Sequence, residues 1–427
     1  MSMFGSIVGT MFSGVKSDYF GRKASIMISQ IIYIMGLLLF RFANGISMLY
    51  VGSFLGGYSN SITISSIPMY IGEVSQPRVR KFTGSFLVLI NNLCFAATYL
   101  IGSLLPWRDT VSIVAVIPFL GFVLFFFCPE SPTWYVMKCK LELAKETMAN
   151  LRGSKKVALM EISKVEAIIQ MNKEGIPDIN DSSLLKTRLN IILKGTFIRP
   201  CLVISILMAF CWKWSGGAVL FAYTVDILKK LGVPLSPYLL STCMGWYLFL
   251  CSLIGVFISS IIPRRKYYIG SAIIVLLGSI IIGAAVHLQR YESFNSLSQN
   301  YPFIKWSPVI GMMLYQLGYQ TGYISVIFML LGELLPSNAR GMGTSIIAQI
   351  HNISTFLAIR SAPACEDLFG IDGLFFMFAS VTVFSIIFVY FFVPETFGKT
   401  LEEIELHYRK ICYPSEFQHL KSNFNKI

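Results

Sequence analysis

Long apolar runs separated by short polar stretches make up most of the chain. They fall at about residues 3–15, 25–43, 48–70, 83–105, 111–128, 198–223, 238–262, 267–287, 307–331, 342–363 and 373–393. A helix needs about 20 apolar residues to cross a bilayer, so the first run is short and the others suffice. Pro and Gly inside several runs are compatible with this reading, because neighbouring membrane helices re-satisfy freed backbone groups. The pattern predicts an all-α polytopic membrane protein with about eleven visible spans. The one sizeable polar stretch lies at 129–197. Its segments LELAKETMANLRG and ALMEISKVEAIIQMNKE have helical periodicity and mixed charge, which predicts solvated helices.

Composition agrees with the pattern. Only 13% of residues are charged, about half the share of a soluble domain. The net charge of +13 could suggest nucleic acid, but its distribution argues against that. Arg41, Arg108, Lys229, Lys230, Arg290 and Lys305 are the whole basic content of one set of alternate loops. Nearly all the other Lys and Arg fall in the opposite set, twelve of them between 138 and 199. By the positive-inside rule the rich set is cytoplasmic. Nine cysteines lie scattered, mostly in apolar runs, and read as buried free thiols. The four histidines show no ligand spacing. No metal, cofactor or nucleophile–base pair is indicated, so an enzyme is not expected.

The chain repeats itself. GEVSQPRVRKFTGS (72–85) and GELLPSNARGMGTS (332–345) both read Gly-Glu, then Arg seven residues after the Glu. PES (129–131) and PET (394–396) each follow an apolar run. DYFGRK (18–23) and SIIPRRK (260–266) are each a basic turn before one. Three features in the same order on the same side indicate two similar halves, an arrangement found in transporters. Asp18, Arg22, Lys23, Glu73, Arg80 and Glu130 in the first half, and Arg264, Arg265, Glu333, Arg340 and Glu395 in the second, all fall at cytoplasmic helix ends. Carboxylates and guanidiniums there can pair between helices or sit on helix N-termini. They are candidates for a cytoplasmic gate.

At these motifs the chain resembles the sugar porter family of the major facilitator superfamily, and most the insect facilitators of trehalose and glucose. GVKSDYFGRK (14–23) is similar to the family's Gly-x-x-x-Asp-x-x-Gly-Arg-Arg/Lys turn. PMYIGEVSQPRVR resembles Pro-x-Tyr-x-x-Glu followed by Arg. PESPTWYV (129–136) resembles Pro-Glu-Ser-Pro-Arg-Trp/Tyr, with Thr133 replacing the Arg. GELLPSNARG and PETFGKTLEEIE (394–405) match closely. The resemblance implies the major facilitator fold of two pseudo-repeated helical bundles. It implies residues 1–128 as the N-terminal bundle, 129–197 as a cytoplasmic loop, 198–393 as a six-span bundle and 394–427 as a cytoplasmic tail. In the family the Gly14–Lys23 motif follows the second span, so the first of twelve is expected to be missing here. The implied activity is facilitative transport of trehalose or a hexose by alternating access, at the plasma membrane. Its partners are a small solute and the lipid bilayer.

The implied pocket departs from the family. Its seventh span carries Gln-Gln-x-Ser-Gly-x-Asn and a later Tyr. Trp212 and Lys213 stand here at the two Gln positions and Ala218 at the Asn, with Ser215, Gly216 and Tyr223 kept. Val88 replaces a Gln on the fifth span, and Leu248 an Asn on the eighth. Phe328 and Asn352 fall at two Trp positions, with Thr355 near a polar contact. Amides read sugar hydroxyls by donating and accepting at once, and each lost bond costs about 1 kcal/mol. Lys213 is an ammonium inside an apolar span, at an insertion cost of about 2.5–3.5 kcal/mol. No carboxylate shares a visible span with it, and its neighbours Trp212 and Trp214 point to other faces. An anionic solute held by Lys213 is one alternative reading; a non-transporting relative is another. Without a mid-span carboxylate, passive facilitation is expected.

Overall fold

The structure is a computed structural model. It describes residues 1–75, 77–156, 158–163, 198–230, 235–259, 261–288, 306–327, 330 and 340–396, which are helical with no strand among them. The first helices are α1 (Ser2–Phe20), α2 (Arg22–Arg41), α3 (Ile46–Val74), α4 (Pro77–Leu104) and α5 (Trp107–Phe127). Two short helices follow, α6 (Pro132–Met137) and α7 (Leu141–Arg152). Then come α8 (Ile198–Trp212), a π-helical segment (Lys213–Gly217) and α9 (Ala218–Lys230). After these lie α10 (Pro237–Ser259), α11 (Arg264–Leu288), α12 (Ser307–Gly318), a second π-helical segment (Tyr319–Tyr323) and α13 (Arg340–Phe392).

Among the described residues every predicted apolar run overlaps a helix. The last two share α13, which breaks at Gly370 with φ of 76°. Among the described residues six helices are long and apolar enough to cross a membrane. α5 shows what surrounds them: Leu120, Leu124, Phe126 and Phe127 are all more than half exposed. An apolar face of that extent belongs in lipid.

The described residues divide into two compact units, one drawn from 1–88 and 104–185, the other from 89–103 and 186–427. Residues 89–103, which the sequence reading assigns to the N-terminal bundle, pack with the second unit. In the first unit α1 and α2 pack on α3, and α2 also packs on α5. The second unit has a large buried core that includes Met208, Trp212, Tyr268, Tyr315, Tyr323, Phe375 and Phe378.

Two expectations need correction. The helices after residue 129 are not simply solvated. Val136, Ala144, Met148, Ala158 and Ile162 form a small core of their own. Arg152, at the last turn of α7, reaches α3: Nη1 donates to the Val74 carbonyl at 2.9 Å and Nη2 to that of Ser75 at 3.4 Å. Its Nε pairs with Glu161 at 3.0 Å. A guanidinium on the last carbonyls of a helix meets the negative end of its dipole. Arg152→Ala should therefore release α7 from α3 and cost about 1.5–3 kcal/mol. Faster hydrogen exchange across 141–152, with α2 unchanged, is the expected readout. The second correction concerns the thiols. Of the seven cysteines whose side chains are described, all free, only Cys211 and Cys251 are buried; the other five lie on half-buried or outward faces.

Candidate solute site and its supporting turns

The two basic turns are built alike. At the first, Gly21 separates α1 from α2 with φ of 98°, where a side chain is strained. A Cβ there would also lie 2.4 Å from Glu130 Oε2. The bare turn lets Glu130 reach the start of α2, and its Oε1 accepts from the N–H of Arg22 and of Lys23, each at 3.0 Å. A carboxylate so placed satisfies two orphan N–H groups and meets the positive end of the helix dipole. Arg22 is buried, and its Nη1 donates to the Ser17 carbonyl at 3.1 Å. Its Nε pairs with Glu73 at 3.2 Å. Glu73 also accepts from the Ser131 hydroxyl. Outside the spans, burial first and then the Glu130 carboxylate push the Tyr135 phenol above its ordinary range.

The second turn repeats the cap, with both oxygens of Glu395 used where Glu130 uses one. Glu395 accepts from the N–H of Arg264 at 3.0 Å and of Arg265 at 3.2 Å. Arg264 Nη1 reaches back five residues to the Ser259 carbonyl at 3.3 Å, as Arg22 does to Ser17. Lys23 Nζ donates to the Phe126 carbonyl at 2.8 Å and lies over the Phe126 ring. Arg265 donates to the Tyr390 carbonyl and lies over the Tyr390 ring. The repeat read from short motifs is thus a repeat of helix caps. The described pairs join helices of the same half. Glu333 lies outside the described residues, as do the side chains of Asp18, Arg80 and Arg340.

The apolar run at 198–223, the family's seventh span, is broken in the middle. Gly216 has φ of 104°, and a Cβ on it would lie 2.3 Å from Phe378 Cδ2. Tyr223, with φ −119° and ψ 21°, breaks the helix again. Such breaks leave carbonyls poorly served, and in lipid they need partners. Tyr315 Oη donates to the Ser215 carbonyl at 3.1 Å, and Ser215 Oγ to that of Trp212 at 2.8 Å. The phenols belong to a stacked ladder. Tyr315 and Tyr319 have centroids 5.6 Å apart, Tyr319 and Tyr323 5.9 Å, and Tyr323 and Tyr268 4.9 Å.

Beside the broken helix the second unit holds a cleft. It is lined by Tyr99, Gly217, Leu220, Phe221, Thr224, Ser241, Met244, Gly245, Leu248, Tyr315, Gln316, Tyr319 and Gln320. No lining residue is ionised at neutral pH. The space is narrow: the centre of a water can occupy only ≈ 10 Å³ of it, about what one water needs. Gln316 and Gln320 are 8% and 3% exposed, and neither side-chain oxygen has a partner among the described residues. An unsatisfied buried amide oxygen costs about 1–3 kcal/mol, so both suit a ligand that donates hydrogen bonds.

Of the residues inferred from resemblance, only Leu248 lines this cleft; it is 2% exposed. Trp212 and Ala218 are buried, and Tyr223 is partly buried against the same core. Thr355 is buried and bonds to the His351 carbonyl at 2.7 Å. Asn352 is half-buried one position after His351, and Val88 is half-buried in the first unit. Phe328 lies outside the described residues. Lys213 corrects the sequence reading: its Nζ sits 3.9 Å from the centroid of the Trp212 ring. A long, flexible side chain on a π-helical turn folds back over its neighbour, which regular helical spacing does not anticipate. His351 lies on the same indole, centroids 4.7 Å apart. Sequence reasoning missed Gln316 and Gln320, although their signal is plain in YQLGYQTGY: two amides one turn apart in an apolar span.

Residues 1–408 match the profile of the family described as "Sugar (and other) transporter", and the chain belongs to that family. It is an integral membrane protein and not an enzyme. It is similar to a facilitated trehalose transporter of Culex quinquefasciatus, 28% identical over 406 residues, covering 95% of this chain and 75% of that one. It is similar also to one of Aedes aegypti, 27% identical over 399 residues, covering 93% of this chain and 48% of the relative. The chain thus spans about half the length of several relatives. Its fold is that of the inward-open xylose transporter XylE from E. coli, with a TM-score of 0.73 at 17% identity. That match covers 95% of this chain and 87% of the other.

Proposed function

We propose that this chain carries a neutral sugar, trehalose or a hexose, across the plasma membrane by facilitated alternating access, with the basic loops on the cytoplasmic side. One observation carries the reading beyond family membership. The cleft combines uncharged amides, hydroxyls and aromatic faces with no ionised group. Hydroxyls of a neutral sugar supply the donor that the buried Gln320 oxygen lacks, and aromatic rings suit the apolar face of a pyranose. The amides of α12 and its π segment compensate those missing from the seventh span. Lys213 is not among the residues lining the cleft, so the anionic reading gains nothing from it. The repeated caps at Arg22 and Arg264 support rigid helix pairs that move as bodies, as alternating access requires.

The test is saturable uptake of labelled trehalose and glucose into proteoliposomes. Wild-type protein should take up at least one of them, with little competition from carboxylate-bearing solutes. Gln320→Leu should raise KM about five- to tenfold, the effect of one lost hydrogen bond. Correctly inserted protein with no saturable sugar uptake would overturn the reading.

A further inference from the structure

The cleft has two levels. Leu248 lies midway along α10, whose far end leads to the basic turn at Arg264, and Gln320 lies in the π-helical segment that follows α12. Gln316 is one turn earlier, Ser241 is near the start of α10, and Thr224 is well along α9 toward Lys230. From Ser241 to Leu248, and again from Gly217 to Thr224, the lining runs seven residues, about 10 Å of helix at 1.5 Å per residue. That length suits two pyranose rings end to end. Its width in this conformation does not, and the wall that can yield is α9. This half-helix is freed at Gly216 and interrupted at Tyr223.

The outer level is rich in acceptors. Thr224 donates its hydroxyl hydrogen to the Leu220 carbonyl, and Ser241 donates to that of Tyr238 at 2.8 Å. Both keep lone pairs for a ligand. Gln316 has an unpartnered, buried oxygen, and its Nε2 has only a weak contact with Met244 Sδ at 4.0 Å. Tyr99 Oη closes the level, 3.5 Å from Thr224 Oγ1.

From this arrangement we infer a second sugar subsite at the outer end of the cleft, where Gln316, Thr224 and Ser241 accept hydrogen bonds from the outer ring of a disaccharide. The inference rests on the sugar-transport reading and extends it. A monosaccharide engages the Gln320 level alone, and a disaccharide engages both.

Discrimination between sugars tests it. In proteoliposomes the ratio of trehalose KM to glucose KM is measured for wild type, Gln316→Leu and Thr224→Val. The expected result is a rise of about tenfold in that ratio for Gln316→Leu, and a smaller rise for Thr224→Val, which keeps the side chain's shape. Should Gln316→Leu fail to insert, Thr224→Val carries the test alone. An unchanged ratio in the inserted variants overturns the second subsite while leaving sugar transport standing. Loss of both sugars in equal proportion does the same, marking the residues as structural. Wild-type protein that moves neither sugar overturns both readings together.

Discussion

An Arg22→Met protein is expected to melt far below wild type, by the equivalent of about 3–5 kcal/mol, the cost of removing one partner of a buried ion pair. Arg22 is 4% exposed and Glu73 16%. The guanidinium ties three elements: its own helix start, Glu73 at the end of α3, and the Ser17 carbonyl at the end of α1. Methionine fills much of the volume but removes the guanidinium from a largely buried Glu73 carboxylate, which the Ser131 hydroxyl also contacts. Thermal unfolding in detergent measures the loss. A double variant, Arg22→Met with Glu73→Leu, should recover part of it, because the carboxylate that Arg22 paired goes too. If the single variant melts within about 1 kcal/mol of wild type, the network is not a structural tie. Glu130→Gln should be far milder, since the amide oxygen still accepts from the helix N–H groups.

A Gly216→Ala protein is expected to lose both stability and transport. Two costs add. A side chain at φ 104° is strained by about 1–2 kcal/mol, and its Cβ would lie 2.3 Å from the Phe378 ring. Phe378 is 2% exposed and packed edge-on to Phe375, so it has little room to retreat. Overpacking of this kind costs about 1–3 kcal/mol. The sum, about 3 kcal/mol, should appear as a lower melting temperature and as sugar uptake near background. Adding Phe378→Leu should restore much of the melting temperature but not all, because the backbone strain persists. Full recovery by the double variant would show that crowding alone mattered and that the break in the helix is dispensable.

These two positions mark the limits of the sequence. Arg22 was legible: basic turns, the Glu after each apolar run and their recurrence are local patterns, and the repeat fixed their equivalence. Its partners were only partly legible. Glu130 lies 108 residues away, and nothing local says that its carboxylate caps α2 instead of bridging two halves. The apolar helices were legible, because a bilayer imposes an apolar length that composition reveals directly. The cleft was not. Alignment to family positions pointed to Lys213 and Ala218, but the break at Gly216 rotates the helix, so regular spacing no longer says which side chains share a face.

The sequence by itself determined the class of protein, the order of its apolar helices, the internal repeat and the family. These follow from hydrophobic length, charge distribution and motifs, all of which are read along the chain. Only the tertiary structure decided which polar side chains meet. Lys213 lies on Trp212, and Gln316 and Gln320 hold buried oxygens in the cleft that Thr224 and Ser241 also line, because two broken helices face each other there. Burial of a polar atom is a property of its neighbours in space, and those come from helices far apart in sequence.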